Sequence, residues 1–302
     1  KSPKLAMISV IVGAGLNIIL DYIFVFPMNM GMFGAALATA IGSLTTTLVL
    51  LIHFIKRKNR IKISFKEVSF SMIKKVVGCG ISTFLMEVAS GFVIFIFNIQ
   101  IIKYIGDIGI VVYGIISNCI IVGMALFNGV AQASQPIIAT NYGAKEKCRV
   151  KKVFEYAMKT TILLGFLLFS IVFIFTKEVI CIFVKADYRI INMGVPAVRM
   201  YLSAFCIMNI NVLFANYFQS TEREKISIII SITRGFLLNV ILVLSLPTIL
   251  GGLSLWVIVP LTEIISFLGI ILYIKKYYYK SNENIKCNNF ELTNEIEYKN
   301  IQ

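Results

Sequence analysis

Eight apolar stretches of 20 or more residues dominate this sequence and leave it few ways to fold. They run over residues 4–26, 33–55, 72–98, 111–136, 153–175, 190–217, 226–248 and 252–274. A helix rises 1.5 Å per residue, so about 20 residues span about 30 Å, the hydrocarbon thickness of a bilayer. Lipid offers no partner to an unpaired peptide group, so each stretch is read as a helix closed on its own hydrogen bonds. Composition agrees: 58% of residues are hydrophobic and 15% charged, against about 25% charged in an average soluble domain. The expected fold class is an all-α polytopic membrane protein with eight transmembrane helices in this chain. Residues 190–217 form the least regular stretch, being interrupted by Arg199, Asn209, Asn211 and Asn216.

Charge tests this count. If the stretches alternate in direction, 22 of the 29 basic residues fall on one side of the membrane. The opposite side receives Lys103, Lys177, Lys185, Arg189 and Arg199, while Lys159 and Arg234 lie within stretches. Such a bias follows the positive-inside rule and predicts that both chain ends are cytoplasmic. The net charge of +14 is therefore read as membrane topology, with the lipid bilayer as partner and no nucleic acid. The chain opens Lys1-Ser2-Pro3-Lys4, without an initiator methionine or a signal-peptide pattern, and reads as one whose beginning is missing. Residues 281–302, rich in Asn and Glu, read as a disordered cytoplasmic tail.

Several chemistries have no support in the residues. One histidine and few acidic residues leave little from which to build a metal or hydrolytic site. The six cysteines show no CxxC or zinc spacing and read as apolar fillers or free thiols. Asn141-Tyr142-Gly143-Ala144-Lys145 lacks the GxxxxGK[ST] pattern of a phosphate loop, so energy is expected from an ion gradient or a separate subunit. The chain is read as no enzyme, with no cofactor beyond a coupling ion, H⁺ or Na⁺.

Two regions echo each other. Around Asn17 the chain reads GAGLNIIL, followed by Asp21, Pro27, Gly31 and Gly34; around Asn239 it reads RGFLLNVILVL, followed by Pro247, Gly251 and Gly252. In each case the following stretch ends in basic residues, Lys56-Arg57-Lys58 and Lys275-Lys276. Read as a parallel repeat with a period of six helices, the echo places four further helices ahead of this chain and twelve in the parent protein.

The run Asn17 to Asp21 with Gly31-Met-Phe-Gly34-Ala-Ala-Leu-Ala-Thr39 resembles the fifth and sixth helices of the multidrug and toxic compound extrusion (MATE) family. Gln135-Pro136 through Asn141-Tyr142-Gly143-Ala144-Lys145 is similar to the family's signature after its eighth helix. Gly80 to Glu87, Phe218-Gln219-Ser220 and Pro260-Leu-Thr-Glu263 follow in the family's order. The resemblance implies a two-lobe helical bundle around a central cavity, drug export against H⁺ or Na⁺, and rocking between outward-open and inward-open states. It assigns residues 1–71 to the last two helices of the first lobe and an inter-lobe cytoplasmic loop, 72–280 to a six-helix second lobe, and 281–302 to the tail. The four N-terminal helices of the same protein then become a partner that this chain lacks.

Candidate site residues follow from polarity in an apolar setting. Glu87 stands mid-stretch, where an unpaired carboxylate is costly and normally functional; it also matches the family's cavity glutamate. Glu87, Asn118, Gln132 and Asp21 are the candidates for substrate or cation binding. Asp21 also reads as a helix-end group near the non-cytoplasmic interface, and the amides as groups satisfied within the bundle. Arg234 and Glu263 are expected to pair across the last two helices, holding the lobe together more than binding ligand. Pro136, Asn141, Gly143 and Pro260 complete the structural or gating set, since proline removes an internal hydrogen bond and permits bending. The function these features predict is ion-coupled antiport of cationic drugs or toxic organic compounds across the cell membrane. The alternative is a lipid or lipid-linked glycan flippase, which calls for a lateral opening and a more basic cavity.

Overall fold

The computed structural model describes residues 3–55, 88–184 and 187–278, and the chain falls into two compact units, Lys1–Val77 and Gly78–Gln302. Every regular element among the described residues is helical. Glu87, the loop 56–71 and the tail 281–302 lie outside them.

The first unit contains a helical hairpin, α1 (Pro3–Val25) and α2 (Gly31–Ile55). Proline opens α1 at a position whose N–H would have no helical partner anyway. The turn needs left-handed backbone, with φ of 48° at Asn29 and 54° at Gly31. The helices touch closely: a Cβ on Gly42 would stand 2.8 Å from Asn17 Cβ and 2.9 Å from the Gly13 carbonyl. Along α2 the hydroxyls of Thr39, Ser43, Thr45, Thr46 and Thr47 each donate to the carbonyl four residues back. That internal pairing lets a helix carrying five hydroxyl groups remain compatible with lipid.

The second unit contains α3 (Val88–Tyr104), α4 (Asp107–Gly143), α5 (Lys147–Ile174), the short α6 (Thr176–Phe183), α7 (Tyr188–Leu202), α8 (Phe205–Ser220), α9 (Glu224–Ile232), α10 (Leu238–Leu250) and α11 (Ile258–Tyr278). Its core is aromatic. Phe97 stacks on Tyr113 at 5.5 Å, Tyr201 meets both edge-on, and Phe127 meets Phe205 at 5.5 Å. Outward-facing side chains such as Ile121, Leu163, Phe166, Ile229 and Leu272 remain exposed, as a bundle bathed in hydrocarbon requires. Among the described residues, seven stretches are long and apolar enough to cross a membrane, and Val88–Tyr104 is a shorter apolar helix. The number eight is thus approximate, while the all-α polytopic class holds.

Four boundaries differ from the sequence reading. Helix α4 runs 37 residues and continues through Pro136 to Gly143, about 55 Å at the helical rise. Hydropathy ended this stretch too early because Thr140 and Asn141 return their polar groups to the Pro136 and Ile137 carbonyls. The stretch 190–217 is two helices, because Ala204 N–H bonds Tyr201 and Cys206 N–H bonds Ser203, three residues back; these tighter bonds break the α register. The stretch 226–248 is interrupted by a π-helical turn, Thr233–Leu237, and Gly252–Trp256 forms a 3₁₀ turn before α11. Cys148 is disulfide-bonded, contrary to the reading of the cysteines as unpaired; Cys119, Cys181 and Cys206 are free. A disulfide needs only two Cα atoms within about 7 Å, which no sequence spacing announces.

Candidate functional site

A buried polar cluster in the second unit forms where α8, the π turn and α11 meet. Glu263 is buried in the first turns of α11. Arg234 reaches it from the π turn, with Nη1 donating to Oε1 at 3.3 Å and to Oε2 at 3.5 Å. Asn211, fully buried on α8, donates Nδ2 to Oε2 at 2.7 Å and to the Glu263 backbone carbonyl at 2.9 Å. Arg234 Nη1 also lies 3.5 Å from the Met208 carbonyl. The side chains of Arg234 and Glu263 are 17% and 5% exposed, so both charges are largely removed from water. A buried pair of this kind owes its worth to hydrogen bonds that satisfy the remaining lone pairs, and Asn211 supplies one of them, at Oε2.

The sequence reading brought Arg234 and Glu263 together, and the structure places them in contact. It missed Asn211, whose only signal was an amide in an apolar stretch, and Asn239, which donates Nδ2 to the Arg234 carbonyl at 2.7 Å. Pro260 is buried in the first turn of α11, where its missing N–H breaks no bond of the helix interior.

The other candidates stand apart from this cluster or in the first unit. Asn118 and Gln132 are exposed on α4, and fourteen helical residues bring them to nearly the same face about 21 Å apart. Asn118 donates Nδ2 to the Gly114 carbonyl at 2.9 Å. Pro136 and Gly143 are exposed and Asn141 half-buried at the end of α4. There the chain reverses through Lys145 at φ 62°, and Glu146 N–H closes on the Asn141 carbonyl at 2.9 Å. In the first unit Asp21 is half-buried on α1, and its Oδ1 is a buried acceptor without a hydrogen-bond donor.

Among the described residues a second cation is held without a carboxylate. Arg199 donates Nε to Thr176 Oγ at 3.1 Å and lies over the Phe173 ring at 4.6 Å. The sequence marked Arg199 only as an interruption; its partners lie 23 and 26 residues away. Among the described residues no group of three or more metal-ligating side chains is assembled.

A bundle of long apolar helices with a charge pair inside it defines a polytopic membrane protein, and comparison with known proteins fixes its kind. The MatE family profile matches residues 81–244, more than half of the chain, and the chain belongs to that family. Its members are transporters and not enzymes. Multidrug export protein MepA of Staphylococcus aureus (strain NCTC 8325 / PS 47) is 28% identical over 255 residues, covering 84% of this chain and 55% of the relative. MepA of Staphylococcus saprophyticus is 26% identical over 236 residues, covering 78% and 52%. The chain thus spans about half the length of the curated relatives it matches. The fold is shared with solved structures described as a multidrug resistance MATE family transporter of the MOP superfamily. An outward-facing structure superposes with a TM-score of 0.76 at 22% identity, covering 89% of this chain and 61% of the other. An inward-facing structure gives 0.71 at 22%, covering 89% and 64%.

Proposed function

We propose that this chain forms part of an ion-coupled antiporter that exports cationic drugs or toxic organic compounds across the cell membrane. The carrying observation is the 255-residue similarity to proteins named for multidrug export. The coupling ion is H⁺ or Na⁺, and the partners are the lipid bilayer, small cationic organic substrates and the first four helices of the same protein. Both chain ends are cytoplasmic, in keeping with the bias of basic residues. The cation-facing groups are Glu87 and Asp21, with Asn118 and Gln132 offering amides to substrate oxygens. A half-buried Asp21 with an unpartnered oxygen and the exposed residues Asn118 and Gln132 on α4 support this assignment, since intramembrane polar groups are kept where they meet a substrate, an ion or one another.

The test is efflux of a fluorescent cation from cells expressing the full-length gene, with Na⁺ and pH gradients imposed separately. Export should follow one of the two gradients and collapse with it. Export indifferent to both, or movement of lipid-linked substrates instead, sinks the reading.

A further inference from the structure

We infer that Arg234 is a built-in cation that fills the carboxylate site of the second unit, and that removing it exposes an oxygen site for a small monovalent cation. The geometry is that of a point charge and not of a fork. One guanidinium nitrogen, Nη1, contacts three oxygens: Glu263 Oε1 at 3.3 Å, Glu263 Oε2 at 3.5 Å and the Met208 carbonyl at 3.5 Å. Charge-assisted N–H···O bonds normally close to about 2.7–2.9 Å, and arginine normally grips a carboxylate with two nitrogens. Here one nitrogen stands among several acceptors at relaxed distances.

The oxygens are held in place without the arginine. Asn211 Nδ2 anchors both Glu263 Oε2 and the Glu263 backbone carbonyl. The Asn211 Oδ1 atom is buried and has no donor, so the asparagine brings a further free acceptor to the cluster. Carboxylate, amide and backbone oxygens are the ligands that hard cations take, and irregular helix segments in transporters supply them to Na⁺. Here the oxygens come from Glu263 on α11 and Met208 on α8, and the irregular segment, the π turn Thr233–Leu237, carries Arg234 to them.

No other described charge is placed to take over. On the helices packed against Glu263, Arg199 is committed to Thr176 and Phe173, and Arg189 is exposed beside Asp187 at the start of α7. Tyr201 packs its ring on Phe97 and Tyr113, and Tyr217 and Tyr273 pack theirs on Phe218. Glu224 and Lys225 are exposed at the start of α9, and Lys275 and Lys276 at the end of α11. A buried carboxylate stripped of its partner is costly, so loss of the guanidinium leaves a charge that a mobile cation lowers in energy.

Arg234 thereby decides that Glu263 does not take up the coupling ion. The inference goes beyond export, and its test does not use transport, so the two fail independently. Thermal unfolding of the purified protein is compared in sodium chloride and in N-methylglucamine chloride of equal ionic strength. The parent and Arg234→Lys should unfold at the same temperature in both salts. Arg234→Gln should unfold about 4 °C or more higher in sodium, and Arg234→Gln with Glu263→Gln should lose that difference. An Arg234→Gln protein indifferent to sodium overturns the inference, as does a parent stabilised by sodium in a way that Glu263→Gln abolishes. If Arg234→Gln is too unstable to recover without sodium, sodium chloride must restore its recovery; equal loss in both salts overturns the inference too.

Discussion

Asn239 donates its side-chain amide to the backbone carbonyl of Arg234, five residues earlier, at 2.7 Å. The same spacing defines the π turn, in which the Leu238 N–H bonds the Thr233 carbonyl. The asparagine therefore braces the segment that carries Arg234 toward Glu263. Asn239→Ala should lower stability by about 1 kcal/mol, the usual worth of one such bond. The shift is to be read as a lower unfolding temperature in detergent. An unchanged temperature would show that the turn holds itself.

Close approach of α5 and α8 depends on Gly165. A Cβ there would stand 2.7 Å from the Phe205 carbonyl and collide with the Asn209 amide, whose nitrogen already donates to the Thr161 carbonyl. Gly165→Ala should cost about 1–3 kcal/mol, as overpacking does. Gly129→Ala serves as the control, because a Cβ at Gly129 meets nothing within 4 Å and alanine favours the helix. Equal unfolding temperatures for the two variants would remove the packing argument.

Topology can be checked by thiol labelling. In a cysteine-free background, a reagent confined to the outside should label cysteines introduced near Asp107 and Asp187 and miss those near Lys58 and Lys147. This expectation rests on the bias of basic residues. Labelling with the sides exchanged would invert the assignment of every helix.

Glu87 carries the coupling hypothesis. In the full-length transporter, Glu87→Gln should weaken binding of a cationic drug and flatten its dependence on pH, while expression and unfolding temperature stay near the parent's. The neutral amide keeps the shape of the side chain and removes the charge that a cation meets. A variant that binds the drug with the parent's pH profile would make Glu87 a packing residue.

The sequence by itself determined the class of this protein. Apolar runs of bilayer length, basic blocks between them and ordered motifs such as Gln135-Pro136 with Asn141-Tyr142-Gly143 are local or periodic signals, and they pointed to the helices and to the MatE family without coordinates. The pairing of Arg234 with Glu263 was also legible, since two opposite charges in adjacent apolar helices have few other partners. The echo around Pro27 and Pro247 has a local counterpart, because Gly31 and Gly251, each four residues on, both take positive φ. Yet its two asparagines do different work: Asn17 reaches across to Thr39, and Asn239 braces its own helix. Tertiary structure alone decided that Asn211, 52 residues from Glu263, completes the carboxylate's bonding, that the stretch 190–217 breaks at Ser203–Ala204, and that a π turn aims Arg234. Hydropathy reports which segments leave water. It is blind to the helix face each polar group occupies, and one inserted residue in a π turn changes that face by about 100°, a helical step of 3.6 residues per turn.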